Sequence, residues 1–264
     1  MNVTRVDEWS MRVINCAMDA MAAGPRPLIA PSPSYAPAMP IGPLIGSGRT
    51  ADVFAINDAW VLRRYRDGRD ASAEASVMSY LFDKGYPVPR VAPNAGSELT
   101  MERLHGPTMV EALQQGAISP QEVGAILARL LHRLHALPAR TSTDPADRVL
   151  HLDLHPDNVI LTAAGPMVID WCNTTEGAPA LDWGISAIIL AEVAVGLRME
   201  ELAPRTILVS LLSHVEHSID LTRALAIRSA NPTLSEGEKQ LLQEAAALVE
   251  SLHSQSATCR PACS

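Results

Sequence analysis

Residues 151–171 read HLDLHPDNVILTAAGPMVIDW and leave the chain few ways to fold. The apolar runs Val159-Ile160-Leu161 and Met167-Val168-Ile169 are too short for helices, and Ala163-Ala164-Gly165 parts them as a turn. A tight hairpin follows. Antiparallel pairing sets the residue before its first strand, Asn158, near the residue that closes its second, Asp170. His151, Asp153 and Asn158 crowd the entrance with the spacing H-x-D-x-x-x-x-N. Only 19% of the chain is charged, so this gathering of histidine, aspartate and asparagine calls for a reason. A polar turn capped by Asp and Asn would explain some of it, but not a hairpin that ends in a further aspartate.

Strand signals lie upstream of that stretch and helix signals around and after it. LIGSGRTADVFAI and AWVLRRY read as strands about an NDA turn, and ELTMERL as another. Residues 70–84 read as a helix ended by Lys84 and Gly85, and YPVPRVA as extended chain, because each proline turns its predecessor away from helix. Ser119-Pro120-Gln121-Glu122 is a capping box with proline at the first helical position. Val123, Ile126, Leu127, Leu130, Leu131 and Leu134 then mark one apolar face. Helical periodicity resumes over 183–198, 202–229 and 234–254. The fold class expected is α+β: a small antiparallel-sheet lobe and a larger helical lobe, with MERLHG between them. Clefts between such lobes hold ligands. Seven prolines from Pro25 to Pro43 exclude regular structure there. The expected division is a poorly ordered proline-rich extension (1–42), a nucleotide-binding lobe (43–104), a catalytic and acceptor-binding lobe (105–256) and a flexible tail (257–264).

Phosphoryl transfer needs what residues 151–171 offer. A carboxylate must orient an attacking hydroxyl and accept its proton, which suits Asp153, and hard oxygen ligands must hold Mg²⁺, which suits Asn158 and Asp170. A phosphate-covering loop is also needed. Gly46, Ser47, Gly48, Arg49, Thr50 and Ala51 begin a G-x-G-x-x-A-x-V segment that joins two strands, whereas Rossmann and Walker loops lead from strand to helix. A cation should stand on the next strand. Arg63 and Arg64 alternate in facing, so one alone can point at phosphates, and Arg63 has the better spacing. Glu74, on the following helix, can pair with it.

Taken together, HLDLHPDNVIL…VIDW, GSGRTADVF, VLRRY, MERLHG and LLHRLHALP resemble the aminoglycoside phosphotransferase family of the protein-kinase-like fold, over residues from about Pro43 to about Leu190. That family includes antibiotic kinases and the choline, homoserine and fructosamine kinases. The resemblance implies ATP or GTP as donor, Mg²⁺ as cofactor, Asp153 as catalytic base, and Asn158 and Asp170 as metal ligands. It further implies that Gly46 to Ala51 cover the triphosphate, that Arg63 contacts phosphates and pairs with Glu74, and that the backbones of Glu102 and Leu104 meet the purine. Asp182, in ALDWG, matches an aspartate that braces the site. The chain departs from the pattern at Arg63, where lysine is usual, at Leu152, where glycine is common, and at Asp157, where glycine is frequent. The short step from Trp171 to Asp182 leaves no room for a long activation loop, so a protein acceptor is not expected.

Charge narrows the acceptor. Residues 1–103 hold 11 basic and 11 acidic side chains, and residues 104–264 hold 10 and 18, so the whole net charge of −8 lies in the second part. A basic nucleic-acid surface is not expected, whereas a cationic small molecule such as an amine-bearing antibiotic would be attracted. A metabolic kinase with a neutral acceptor, and a nucleotide-binding pseudokinase, are the alternatives. The four cysteines lack metal-ligand spacing, no signal peptide is visible, and the apolar run WGISAIILA is too short to span a bilayer. A cytoplasmic enzyme without membrane attachment is expected.

Overall fold

A computed structural model describes residues 41–48, 50–93, 96–196, 202–216, 218–230 and 236–258. The expected extension lies outside them but for its last two residues, as do Arg49 and most of the expected tail. The chain divides into two compact units. The first runs to Ala112 and resumes over Asp157–Cys172, and the second comprises Leu113–Pro156 and everything from Asn173 onward. The hairpin therefore groups by its contacts with the N-terminal sheet and not with the helical segment that it interrupts in sequence.

The first unit is built on a four-stranded antiparallel sheet in the order β1-β2-β3-β4, formed by β1 (Leu44–Ser47), β2 (Ala51–Ala55), β3 (Trp60–Tyr65) and β4 (Glu98–Glu102). Alternation in β2 buries Ala51, Val53 and Ala55. Helix α1 (Ser72–Asp83) turns Glu74, Met78 and Leu81 inward and ends at Lys84, with Gly85 at φ +74° closing the turn. The segment read as extended from YPVPRVA lies against β4 through a Val91–Met101 bridge and the Ala92 N–H, which donates to the Thr100 carbonyl at 2.9 Å. The hairpin of β6 (Val159–Thr162) and β7 (Gly165–Val168) pairs Val159 with Val168 and Thr162 with Gly165. It is fastened within the unit by Leu161 N–H to the Pro107 carbonyl and Val168 N–H to the Pro87 carbonyl, both 2.8 Å. At Gly106 φ is +146°, and a Cβ there would stand 2.0 Å from the Leu161 carbonyl oxygen, so only glycine lets the chain pass β6 so closely. One short helix escaped the sequence reading: α2 (Met109–Gln114). Thr108 caps it reciprocally, with Thr108 N–H bonded to Glu111 at 2.7 Å and Glu111 N–H to Thr108 Oγ1 at 3.1 Å.

The second unit is helical. The expected capping box is present: Ser119 accepts from Glu122 N–H and Glu122 accepts from Ser119 N–H, at the head of α3 (Pro120–His135). The apolar run that follows becomes α4 (Pro179–Gly196), in which Leu181 through Ala191 are all buried. This helix is long and apolar enough to cross a membrane by length and composition, but 61% of it is buried inside the protein, as in a core helix. Leu150, Leu181, Ile185, Ile188, Ile189, Ala224 and Leu242 form its core cluster. The single helical pattern over 202–229 divides into α5 (Leu202–Ser213) and α6 (Leu221–Ser229), because Asp220 caps α6 by accepting the Arg223 N–H at 3.0 Å. Helix α7 (Glu236–Thr258) completes the bundle. Two short strands absent from the sequence reading, β5 (Arg148–Leu150) and β8 (Thr175–Gly177), pair antiparallel. Neither alternates apolar and polar residues over enough length to be seen.

Helices α3 and α5 approach closely at Gly124, where a Cβ would lie 2.5 Å from the Ile207 carbonyl oxygen. Alanine is the better helix former by about 1 kcal/mol, but a clash with backbone has no cheap relief. Gly124→Ala should therefore destabilise the protein by about 1–3 kcal/mol in a urea titration; stabilisation would show that the helices can part freely.

Candidate active site

The glycine-rich segment forms the tip of β1 and β2. Ser47 faces Asp52 across the ladder, and the turn is closed by the Gly48 N–H donating to the Ala51 carbonyl at 2.9 Å. Ser47 Oγ donates to Asp52 Oδ1 at 2.8 Å, and Arg66 at the end of β3 donates to both side chains. The bonds from Arg66 and Ser47 hold the Asp52 carboxyl at about 2. Gly48, Thr50 and Ala51 share one pocket with Arg63, Met101 and Asp170.

Arg63 lines that pocket. The register of β3 buries Arg63, and Arg64, on the opposite face, pairs instead with Glu98. One arm of the Arg63 guanidinium meets Glu74 Oε1 at 3.0 Å and the other meets Asp170 Oδ1 at 2.7 Å. All three side chains are buried. Burial opposes the Arg63 charge, but Asp170 and Glu74 raise its pKa well above the ordinary arginine value. Burial likewise pushes the Glu74 carboxyl up, and Arg63 offsets part of that. Glu74 takes two more donors: the Tyr65 hydroxyl on Oε2 and the Trp171 N–H on Oε1 at 3.2 Å.

Asp170 and Asn158 stand at one end of the hairpin. The Ile169 N–H donates to the Asn158 carbonyl at 3.0 Å, and Asn158 is completely buried. Asp170 takes φ +64°, a left-handed conformation that costs an ordinary residue about 1–2 kcal/mol. Strain of this kind collects where a side chain must be aimed. Glu102 is buried, its N–H donates to the Arg90 carbonyl at 2.8 Å, and its carboxylate takes the Arg90 N–H at 3.3 Å. Leu104 packs with Ile160 and Ile169.

Asp153 belongs to the second unit. Asn173 Nδ2 donates to its Oδ2 at 3.4 Å, His155 Nε2 is 3.9 Å from its Oδ1, and its own N–H donates to His151 Nδ1 at 3.2 Å. Asp182 braces the turn before it. This fully buried carboxylate accepts the His151 N–H at 3.0 Å, the Leu152 N–H at 2.8 Å and His135 Nε2 at 2.9 Å. Leu152, standing where the family commonly has glycine, is left-handed at φ +59°, so those bonds hold a conformation that its side chain resists. Burial works to raise the Asp182 pKa, but the His135 bond and the backbone donors hold it below the usual value.

Several of these contacts were not anticipated. Tyr65 shares a strand face with Arg63 by simple alternation, which was the available signal. The partners of Asp182 and Asp153, His135 and Asn173, had none, since both lie far from them in sequence. Asp157 is a further surprise: burial, and then the charge of Glu111, push its carboxyl up to about 7, while Thr108 works the other way.

These features define a kinase-like phosphotransferase fold: an antiparallel sheet with a glycine-rich turn, a buried cation–carboxylate pair and the H-x-D-x-x-x-x-N hairpin. The chain belongs to the APH family of phosphotransferase enzymes, whose sequence profile matches residues 42–148 and 139–201. Comparison with curated proteins finds no match. Among solved structures, the chain is similar to the ADP-bound aminoglycoside phosphotransferase APH(2'')-Ib, with 14% identity over 82% of this chain and 94% of the other and a TM-score of 0.50. It is also similar to APH(2'')-IIa in its gentamicin complex, with 11% identity over 98% and 95% of the two chains and a TM-score of 0.52. At such identities the likeness is one of fold.

Asp182→Asn should lower the unfolding free energy by about 3 kcal/mol in urea at pH 7, because a buried carboxylate with three donors is replaced by an amide that cannot accept them all; an unchanged midpoint would remove the brace. Asp157 should act in the opposite sense. Its folded pKa, about 7, is above the ordinary 3.8, so the stability it contributes is complete below the ordinary value and is lost as pH rises through 7. Asp157→Asn should therefore gain stability relative to the parent at pH 8 by on the order of 1–3 kcal/mol and show no gain at pH 4; equal effects at both would mean that the carboxyl titrates normally.

Proposed function

We propose that the protein transfers the γ-phosphoryl group of ATP or GTP to a hydroxyl of a small molecule. The observation that carries this reading is the buried fork of Arg63 on Glu74 and Asp170, lining one pocket with the glycine-rich turn, in a chain of a phosphotransferase family. Arg63 and the N–H groups of the turn hold the phosphates. The Glu102 carbonyl and Leu104 N–H meet the purine edge, the Glu102 N–H being committed to Arg90. Asn158 and Asp170 fit Mg²⁺: both offer hard oxygen donors at one end of the hairpin. When bound, the ion neutralises charge on the phosphates.

Asp153 is the base. Its carboxylate orients the acceptor O–H and takes that proton on one oxygen as the new P–O bond forms and the bond from the γ-phosphorus to the departing nucleoside diphosphate breaks, while Asn173 steadies the other oxygen. The acidic balance of residues 104–264, 18 acidic against 10 basic, favours a cationic acceptor such as an aminoglycoside. Choline-, homoserine- or fructosamine-kinase-like acceptors are the metabolic counterparts. The bond from Arg63 to Asp170 motivates one rival, a nucleotide-binding regulator without turnover, since it engages an oxygen that the catalytic reading gives to the metal.

The test is Mg-ATP and Mg-GTP turnover on a panel of amino-sugar and peptide antibiotics, choline and homoserine, with mass spectrometry for an added phosphate. The enzyme should modify at least one, and Asp153→Asn should lose about 10²–10⁴ of the rate while keeping nucleotide affinity. Nucleotide binding without turnover on any acceptor would favour the regulator, and no nucleotide binding would end both readings.

A further inference from the structure

Tyr65 takes no part in the reading above, yet it touches both ends of the ion pair on which that reading depends. It lies two residues after Arg63 on β3, so the two side chains leave the strand on the same face. Its hydroxyl donates to Glu74 Oε2, the oxygen that Arg63 does not use, and the Arg63 guanidinium carbon sits 5.1 Å from the centre of its ring. Tyr65 is 3% exposed. Burial and the neighbouring Glu74 charge raise its pKa, so the phenol stays protonated and keeps donating. Glu74 is thus held from three sides, by Arg63 and Trp171 N–H on Oε1 and by Tyr65 on Oε2. A carboxylate so tied cannot turn away from the strand, and the guanidinium that it anchors keeps one orientation toward the pocket shared with Gly48 and Asp170.

We infer that Tyr65 is a positioning residue for the nucleotide: it fixes Arg63 through Glu74 and so sets how tightly the phosphates are held. The inference rests on the proposed nucleotide site. A contact from Arg63 to the phosphates exists before and during transfer, so its loosening is read in nucleotide affinity more than in the rate at saturation.

The experiment compares wild type, Tyr65→Phe, Glu74→Gln and the double variant in ADP binding by calorimetry and in nucleotide KM and kcat, with circular dichroism and the melting temperature of the free protein as controls. Tyr65→Phe keeps the ring and its packing and removes one hydroxyl. It should raise the ADP Kd and the nucleotide KM about tenfold with kcat within about twofold, and the double variant should bind no more weakly than Glu74→Gln alone. The ADP-induced shift in melting temperature, taken from each variant's own baseline, reports affinity even where the baseline falls. Wild-type affinity in Tyr65→Phe, a loss confined to kcat, or additive losses in the double variant would overturn the inference. Absence of ADP binding in the wild type would instead remove the nucleotide site itself.

Discussion

The guanidinium of Arg63 lies between Glu74 and Asp170, and there strand β3, helix α1 and the end of the hairpin meet. Taking such ions out of water costs several kcal/mol apiece and is recovered only with good geometry and further hydrogen bonds. The three groups meet those terms: each arm of the fork has its own carboxylate, and the remaining Glu74 oxygen has the Tyr65 hydroxyl. The trio sums to one negative charge, so it is left receptive to one more cation. Arginine is what permits the double contact, because its planar fork reaches two acceptors at once. Removing any of the three strands the charge of the others, which makes the arrangement self-enforcing.

The second unit answers a different demand. Asp153 follows a turn whose backbone is left-handed at Leu152, and nothing in the turn's own residues favours that. Asp182 supplies the missing preference by accepting two consecutive N–H groups, and His135 holds Asp182 in turn. Here a completely buried carboxylate serves to shape backbone and is not offered to a ligand. The same economy appears at Glu176, whose carboxylate takes the N–H groups of Arg140, Thr141 and Ser142.

The elements legible in the sequence were those with a local cause. The Ser119 capping box, the alternation of β2 and β3, and the hairpin about Ala163-Ala164 all follow from neighbours within a few residues, and so did the choice of Arg63 over Arg64. What escaped notice was set by partners distant in the chain. Strands β5 and β8 exist because they pair with each other across 27 residues, from Arg148–Leu150 to Thr175–Gly177. The division of 202–229 is set by the Asp220 cap, which the apolar periodicity over that range does not register. The allegiance of 157–172 to the sheet unit comes from backbone bonds to Pro87 and Pro107, which no pattern encodes. Family resemblance supplied Asp182, but not the three donors that give it its purpose.

Leu152 carries a last implication. Glycine would accept the left-handed backbone there without penalty, but it would offer nothing to the interior. Leucine packs against the cluster of Leu150, Ile185 and Ile188, so the turn that carries Asp153 is tethered from behind by oil as well as from the side by a carboxylate. Shape changes deep in helix α4 can therefore reach Asp153 through van der Waals contact alone. Trimming a methyl group from the interior then loosens that turn from a distance.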